Sequence, residues 1–142
     1  MQKRLPLLLA FLLALSLVMF PAQDAAASSK YLQANQNFYT GNAWITFKGG
    51  TYVYLLDNGH AYAGTLAHNT NLYNGNAWVT FMAGHSAYFR TNGHIVKGTL
   101  AHNTNLYNGN AWVTFKAGHE VHFRANGHVD RGILAHNTNL YN

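Results

Sequence analysis

The sequence predicts an all-β protein: tandem 34-residue repeats of antiparallel β-hairpins forming an elongated sheet. Three observations predict it. One period runs along the chain, each period contains a strand-like alternation, and each carries an Asn-Gly turn at the same place.

The period is read directly from identical residues. Trp44, Trp78 and Trp112 stand 34 apart, as do Thr46, Thr80 and Thr114. The segment Leu-Ala-His-Asn-Thr-Asn-Leu-Tyr-Asn occurs unchanged at 66–74, 100–108 and 134–142. Three units result, 41–74, 75–108 and 109–142, and the last two agree at 25 of 34 positions. A partial unit or cap occupies 28–40, where Leu32, Asn35, Asn37 and Tyr39 align with Leu66, Asn69, Asn71 and Tyr73.

Within a unit the first element is the strand Ala77-Trp78-Val79-Thr80-Phe81. Alternation places Ala77, Val79 and Phe81 on one side and Trp78 and Thr80 on the other. A Gly-containing break follows at 49–50, 83–84 and 117–118. Next comes a hairpin such as Val121-His122-Phe123-Arg124, Ala125-Asn126-Gly127, His128-Val129. A three-residue loop ending in Gly fits a type I turn with a G1 bulge. That register sets Phe123 opposite Val129 and Phe89 opposite Ile95. A further strand is expected at Gly132-Ile133-Leu134-Ala135, and the Asn-Thr-Asn-Leu-Tyr-Asn-Gly-Asn segment reads as a turn enclosing a short strand.

Two assemblies satisfy this pattern. One is a ribbon of hairpins laid side by side. The other is a β-solenoid with like residues stacked about 4.8 Å apart. Asn and aromatic ladders suit the solenoid, and the Asn-Gly hairpin suits the ribbon, which is preferred. Phe89-Arg90-Thr91-Asn92-Gly93-His94-Ile95-Val96-Lys97-Gly98 resembles the hairpin core of MORN-type repeats, in its aromatic, its Asn-Gly turn and the Gly after its second strand. The likeness covers about ten residues per unit, at 55–64, 89–98 and 123–132. Unit length and the Trp strand depart from that family. The resemblance implies stacked hairpins and carries no ligand.

Residues 1–27 read as a cleaved secretory signal peptide. Lys3 and Arg4 precede the apolar run 5–20, and Ala25-Ala26-Ala27 supplies small residues for cleavage. The run is shorter than the roughly 20 residues of a spanning helix. A secreted, periplasmic or cell-surface protein is therefore expected, with no membrane span after cleavage. There is no cysteine, so no disulfide staples the fold. The formal net charge is +5, but its basic residues are scattered. No nucleic-acid partner is expected from such a distribution.

Catalysis is not expected. After residue 27 the acids are Asp57, Glu120 and Asp130, none repeated, and the serines are Ser28, Ser29 and Ser86. No carboxylate pair or Gly-x-Ser-x-Gly setting results. His122 and Asp130 can face each other across the last hairpin, with no nucleophile beside them.

Two sets of side chains suggest binding. Trp44, Trp78 and Trp112, with Tyr73, Tyr107 and Tyr141 nearby, form rows suited to stacking on sugar rings. Large aromatics are more often buried, so a second layer over the Trp row is the competing expectation. The nine histidines offer the other set, His68, His102 and His136 recurring in the Asn-rich segment. Zn²⁺ or Cu²⁺ is the alternative cofactor reading against none, since a metal site needs three or four converging ligands. The Asn-Thr-Asn triplets read as turn chemistry.

The function expected is a non-catalytic repeat protein that binds or scaffolds at the cell envelope, with cell-wall polysaccharide as partner. The alternatives are a periplasmic or extracellular metal-binding protein, and a structural surface protein that self-associates through its open ends.

Overall fold

The computed structural model describes residues 28–136. Residues 1–27, where a signal peptide is expected, and Tyr141 lie outside them. The described residues form thirteen short strands and no helix. In chain order they are β1 (Ser28–Tyr31), β2 (Gln36–Tyr39), β3 (Trp44–Phe47), β4 (Tyr52–Leu55), β5 (Ala61–Thr65), β6 (Thr70–Tyr73) and β7 (Trp78–Phe81). They continue as β8 (Ser86–Phe89), β9 (Ile95–Thr99), β10 (Thr104–Tyr107), β11 (Trp112–Phe115), β12 (Glu120–Phe123) and β13 (Val129–Arg131).

Seven strands make one sheet in the order β1-β4-β5-β8-β9-β12-β13, every pairing antiparallel. Three further hairpins, β2–β3, β6–β7 and β10–β11, form a second row. The ribbon is therefore the observed assembly. Like residues of successive units lie two strands apart, about 9.6 Å by ordinary strand spacing, and are not stacked one strand apart as in a solenoid.

The Asn-Gly hairpins have the expected register. Phe123 pairs with Val129 and Phe89 with Ile95, with a register shift beside each. The loops close through Gly93 N–H to Arg90 C=O at 2.8 Å and Arg90 N–H to His94 C=O at 2.9 Å. Gly59, Gly93 and Gly127 take φ of 85°, 88° and 88°, values that side chains resist.

The Trp strand also alternates as expected. Val79 and Phe81 are buried while Trp78 is exposed. Its partner is the strand inside the Asn-rich segment, in the register Tyr73 to Trp78 and Asn71 to Thr80. Asn74 turns the chain between them: its Oδ1 accepts from Asn76 N–H and Ala77 N–H at 2.7 and 2.8 Å.

One expected element is corrected. Residues 132–135 are not a separate strand. The second hairpin strand runs without a break through the equivalent glycine in β5 and β9, and Leu134 makes only an isolated bridge to Phe115. That glycine is needed for packing. A Cβ on Gly98 would lie 2.7 Å from Phe81 Cδ1, so only glycine lets the ring lie flat on the strand.

The two rows share one core. Ile45, Phe47, Leu72, Val79, Phe81 and Leu106 from the small hairpins meet Val53, Ala87, Phe89, Ile95, Val121 and Phe123 from the long sheet. The Phe contacts cross unit boundaries. Phe47 meets Phe89 edge-on at 6.4 Å, and Phe81 meets Phe123 at 6.3 Å. Each unit completes its core with the next, as expected of a unit too small to fold alone.

Candidate functional site

The inward faces of the small hairpins are consumed by the core, so their outward faces carry whatever the alternation leaves. Trp44, Trp78 and Trp112 are 71%, 58% and 60% exposed. The covering layer weighed in the sequence lies on the other side, over Ile45, Val79 and their neighbours.

Each indole has the same partners. Tyr39, Tyr73 and Tyr107 sit across the strand pair from Trp44, Trp78 and Trp112, ring centroids 5.4, 5.2 and 5.3 Å apart and tilted by 41–47°. A histidine from the neighbouring Asn-Gly hairpin then meets each tyrosine edge-on. His60, His94 and His128 lie 5.1, 5.1 and 5.0 Å from Tyr39, Tyr73 and Tyr107. The triad His–Tyr–Trp thus recurs three times, and its histidine holds the tyrosine from behind.

Polar groups continue the face. Thr46, Thr80 and Thr114 donate their hydroxyls to Asn37, Asn71 and Asn105 at 2.5, 3.2 and 2.8 Å. Lys48 and Lys116, next on the outward side, are exposed. Each site therefore offers an aromatic platform flanked by amide and hydroxyl groups.

Of the tyrosines named from the sequence, Tyr73 lies against Trp78 and Tyr107 against Trp112. Tyr39 was missed, although the partial unit already aligned it with Tyr73. His60, His94 and His128 were missed as well, because their approach to the tyrosines depends on how the two rows pack. The constant separation of 21 residues from Tyr to His was the one available signal.

The other candidates are placed differently. His68, His102 and His136 are exposed. Among the described residues no three His, Cys, Asp or Glu side chains converge as a metal site would require. The described Asn-Thr-Asn triplets, 69–71 and 103–105, are committed to the fold, as is Asn35 at the equivalent place in the partial unit. Asn35, Asn69 and Asn103 accept from the N–H of Gly49, Ala83 and Ala117, each at 2.8 Å and each fourteen residues away. His122 faces Glu120 at 3.2 Å rather than Asp130, which lies 3.6 Å from Arg124.

Fold and site together define an all-β protein of tandem antiparallel hairpins with one solvent-facing aromatic cluster per unit. No family model, curated protein or solved structure matches the chain.

Proposed function

We propose that the protein is an exported, non-catalytic module that binds glycan at the cell envelope, through Tyr39–Trp44, Tyr73–Trp78 and Tyr107–Trp112. The observation that carries this reading is the exposure of three indoles at equivalent places. Burying an indole is favourable, and a repeated exposed row of them is the kind of surface that a partner covers. Sugar rings present apolar C–H faces to stack on the rings, and hydroxyls that the Asn and Thr groups beside them can meet. Export supports an extracellular polymer as the partner.

Three equal sites on one rigid array favour a polymer over a free sugar. Once one site is engaged, the others bind at a high effective concentration, which multiplies affinity by about 10²–10⁴ where the geometry allows. The test is retention on insoluble cell-wall polysaccharide. Wild type is expected to be retained. Trp44→Ala, Trp78→Ala and Trp112→Ala together are expected to release it, with an unchanged far-ultraviolet spectrum. Equal retention of the folded triple variant would sink the proposal.

A further inference from the structure

The long sheet has a second face, turned away from the core and from the Trp row. Its residues can be followed strand by strand through the register. One row reads Ser29, Tyr54, Ala63, Tyr88, Lys97, His122 and Arg131, each directly opposite the next. Directly paired residues of an antiparallel sheet project to the same side. The row therefore alternates between the strand that enters each hairpin and the strand that leaves it.

The leaving position differs in every unit: Ala63, Lys97 and Arg131. Lys97 fills the space between Tyr88 and His122, with its Nζ 4.2 Å from the centre of the Tyr88 ring. Ala63 fills nothing comparable between Tyr54 and Tyr88. The result is a cleft of about 320 Å³ floored by Ala63 and Gly64 and walled by Tyr54 and Tyr88, with Tyr52, Thr65, Ser86 and Thr51, whose hydroxyl is given to Lys48 C=O, around it.

The dimensions suit one ring. Tyr54 and Tyr88 stand two strands apart, about 9.6 Å. A ring between them at van der Waals contact on each side, about 3.5–4 Å, spans most of that gap. The volume is at the small end of ligand pockets, which run from about 300 to 1,000 Å³. The chemistry of the lining is equally specific. It consists of phenol and aliphatic hydroxyls with no charged side chain. Among the described residues neither Thr65 nor Ser86 spends its hydroxyl on a side-chain hydrogen bond. Such a lining matches an uncharged, polyhydroxylated ring and offers nothing to an ion.

We propose that the Tyr54–Ala63–Tyr88 cleft is a second binding site, on the opposite face from the Trp row, for a single neutral pyranose ring, free or at the end of a chain. It is independent of the Trp sites.

The repeat supplies its own controls. Ala63→Lys installs the residue that the next unit carries, and Lys97→Ala opens the corresponding space between Tyr88 and His122. The probes are neutral monosaccharides, namely glucose, galactose, mannose and N-acetylglucosamine, titrated while the tyrosine, histidine and tryptophan ring signals are followed by NMR. At least one sugar is expected to shift Tyr54 and Tyr88 saturably in wild type and in the triple Trp→Ala variant. Ala63→Lys is expected to weaken it by about tenfold or more. Lys97→Ala is expected to add a second set of shifts at His122. No saturable shift at Tyr54 and Tyr88 with any of the four sugars overturns the proposal. So does undiminished binding by folded Ala63→Lys. Loss in the triple Trp→Ala variant with retention in Ala63→Lys assigns the sugar to the Trp row instead, overturning the cleft and leaving the first proposal standing.

Discussion

At the scale of single residues, identical sequence positions do unequal work, and the array shows why. Gly127 has φ of 88°, and a Cβ there would lie 2.6 Å from the backbone N of Asn76. Gly59 has nearly the same φ, 85°, with nothing within 4 Å. Gly127 is pressed against the turn of a preceding small hairpin, and Gly59 meets no such turn among the described residues. Gly59→Ala is thus expected to cost only the left-handed backbone, about 1–2 kcal/mol. Gly127→Ala adds overpacking of about 1–3 kcal/mol. Urea midpoints of the two variants measure the difference, and equal losses would show that the turn contact is not tight. The alternation that buries Val79 and Phe81 was legible in the sequence. The exposure of Trp78 was not, because an indole is usually buried and its own strand cannot reveal which face the second row covers.

At the scale of elements, the small hairpin straddles the boundary drawn from sequence identity. Its turn begins at Asn74, the last residue of one unit, and continues at Gly75, the first of the next. A period locates the repeat but not its starting point. The second row of hairpins was therefore hidden in two half-readings, a Trp strand and an Asn-rich turn. Asn74 holds this element together. It is 1% exposed, and its Oδ1 satisfies two backbone N–H groups. The first hairpin has Thr40 in its place, also 1% exposed, whose Oγ1 accepts from Asn42 and Ala43 N–H at 3.3 Å. Asn74→Ala leaves both donors without that acceptor and is expected to destabilise by about 1–3 kcal/mol. Asn74→Thr restores an acceptor already used by this fold and is expected to recover most of that loss. Thermal or urea unfolding of the pair checks it. A Thr variant as unstable as the Ala variant would mean that the side chain acts by filling space.

At the scale of the whole molecule, a 34-residue period is compatible with a ribbon or a solenoid, so identity alone does not choose between them. The choice lies in the Asn-Gly loop, whose bulged register commits each unit to two antiparallel strands of the long sheet. From this follows how the molecule responds to losing a unit. Contacts such as Phe47 with Phe89 and Phe81 with Phe123 join each unit to the next, so stability grows with the number of interfaces. Deleting 75–108 joins Asn74 to Gly109 and regenerates the same Asn-Gly-Asn-Ala-Trp sequence at the junction. The shortened chain is expected to fold, because every strand keeps a partner of the same type. Its denaturant midpoint and its m-value are both expected to fall, the latter because less surface is exposed on unfolding. Retention on polysaccharide is expected to fall by more than the one third that loss of one Trp site implies, since affinity from linked sites multiplies rather than adds. A drop of only one third would mean that the three aromatic clusters act separately, on three short ligands and not along one chain.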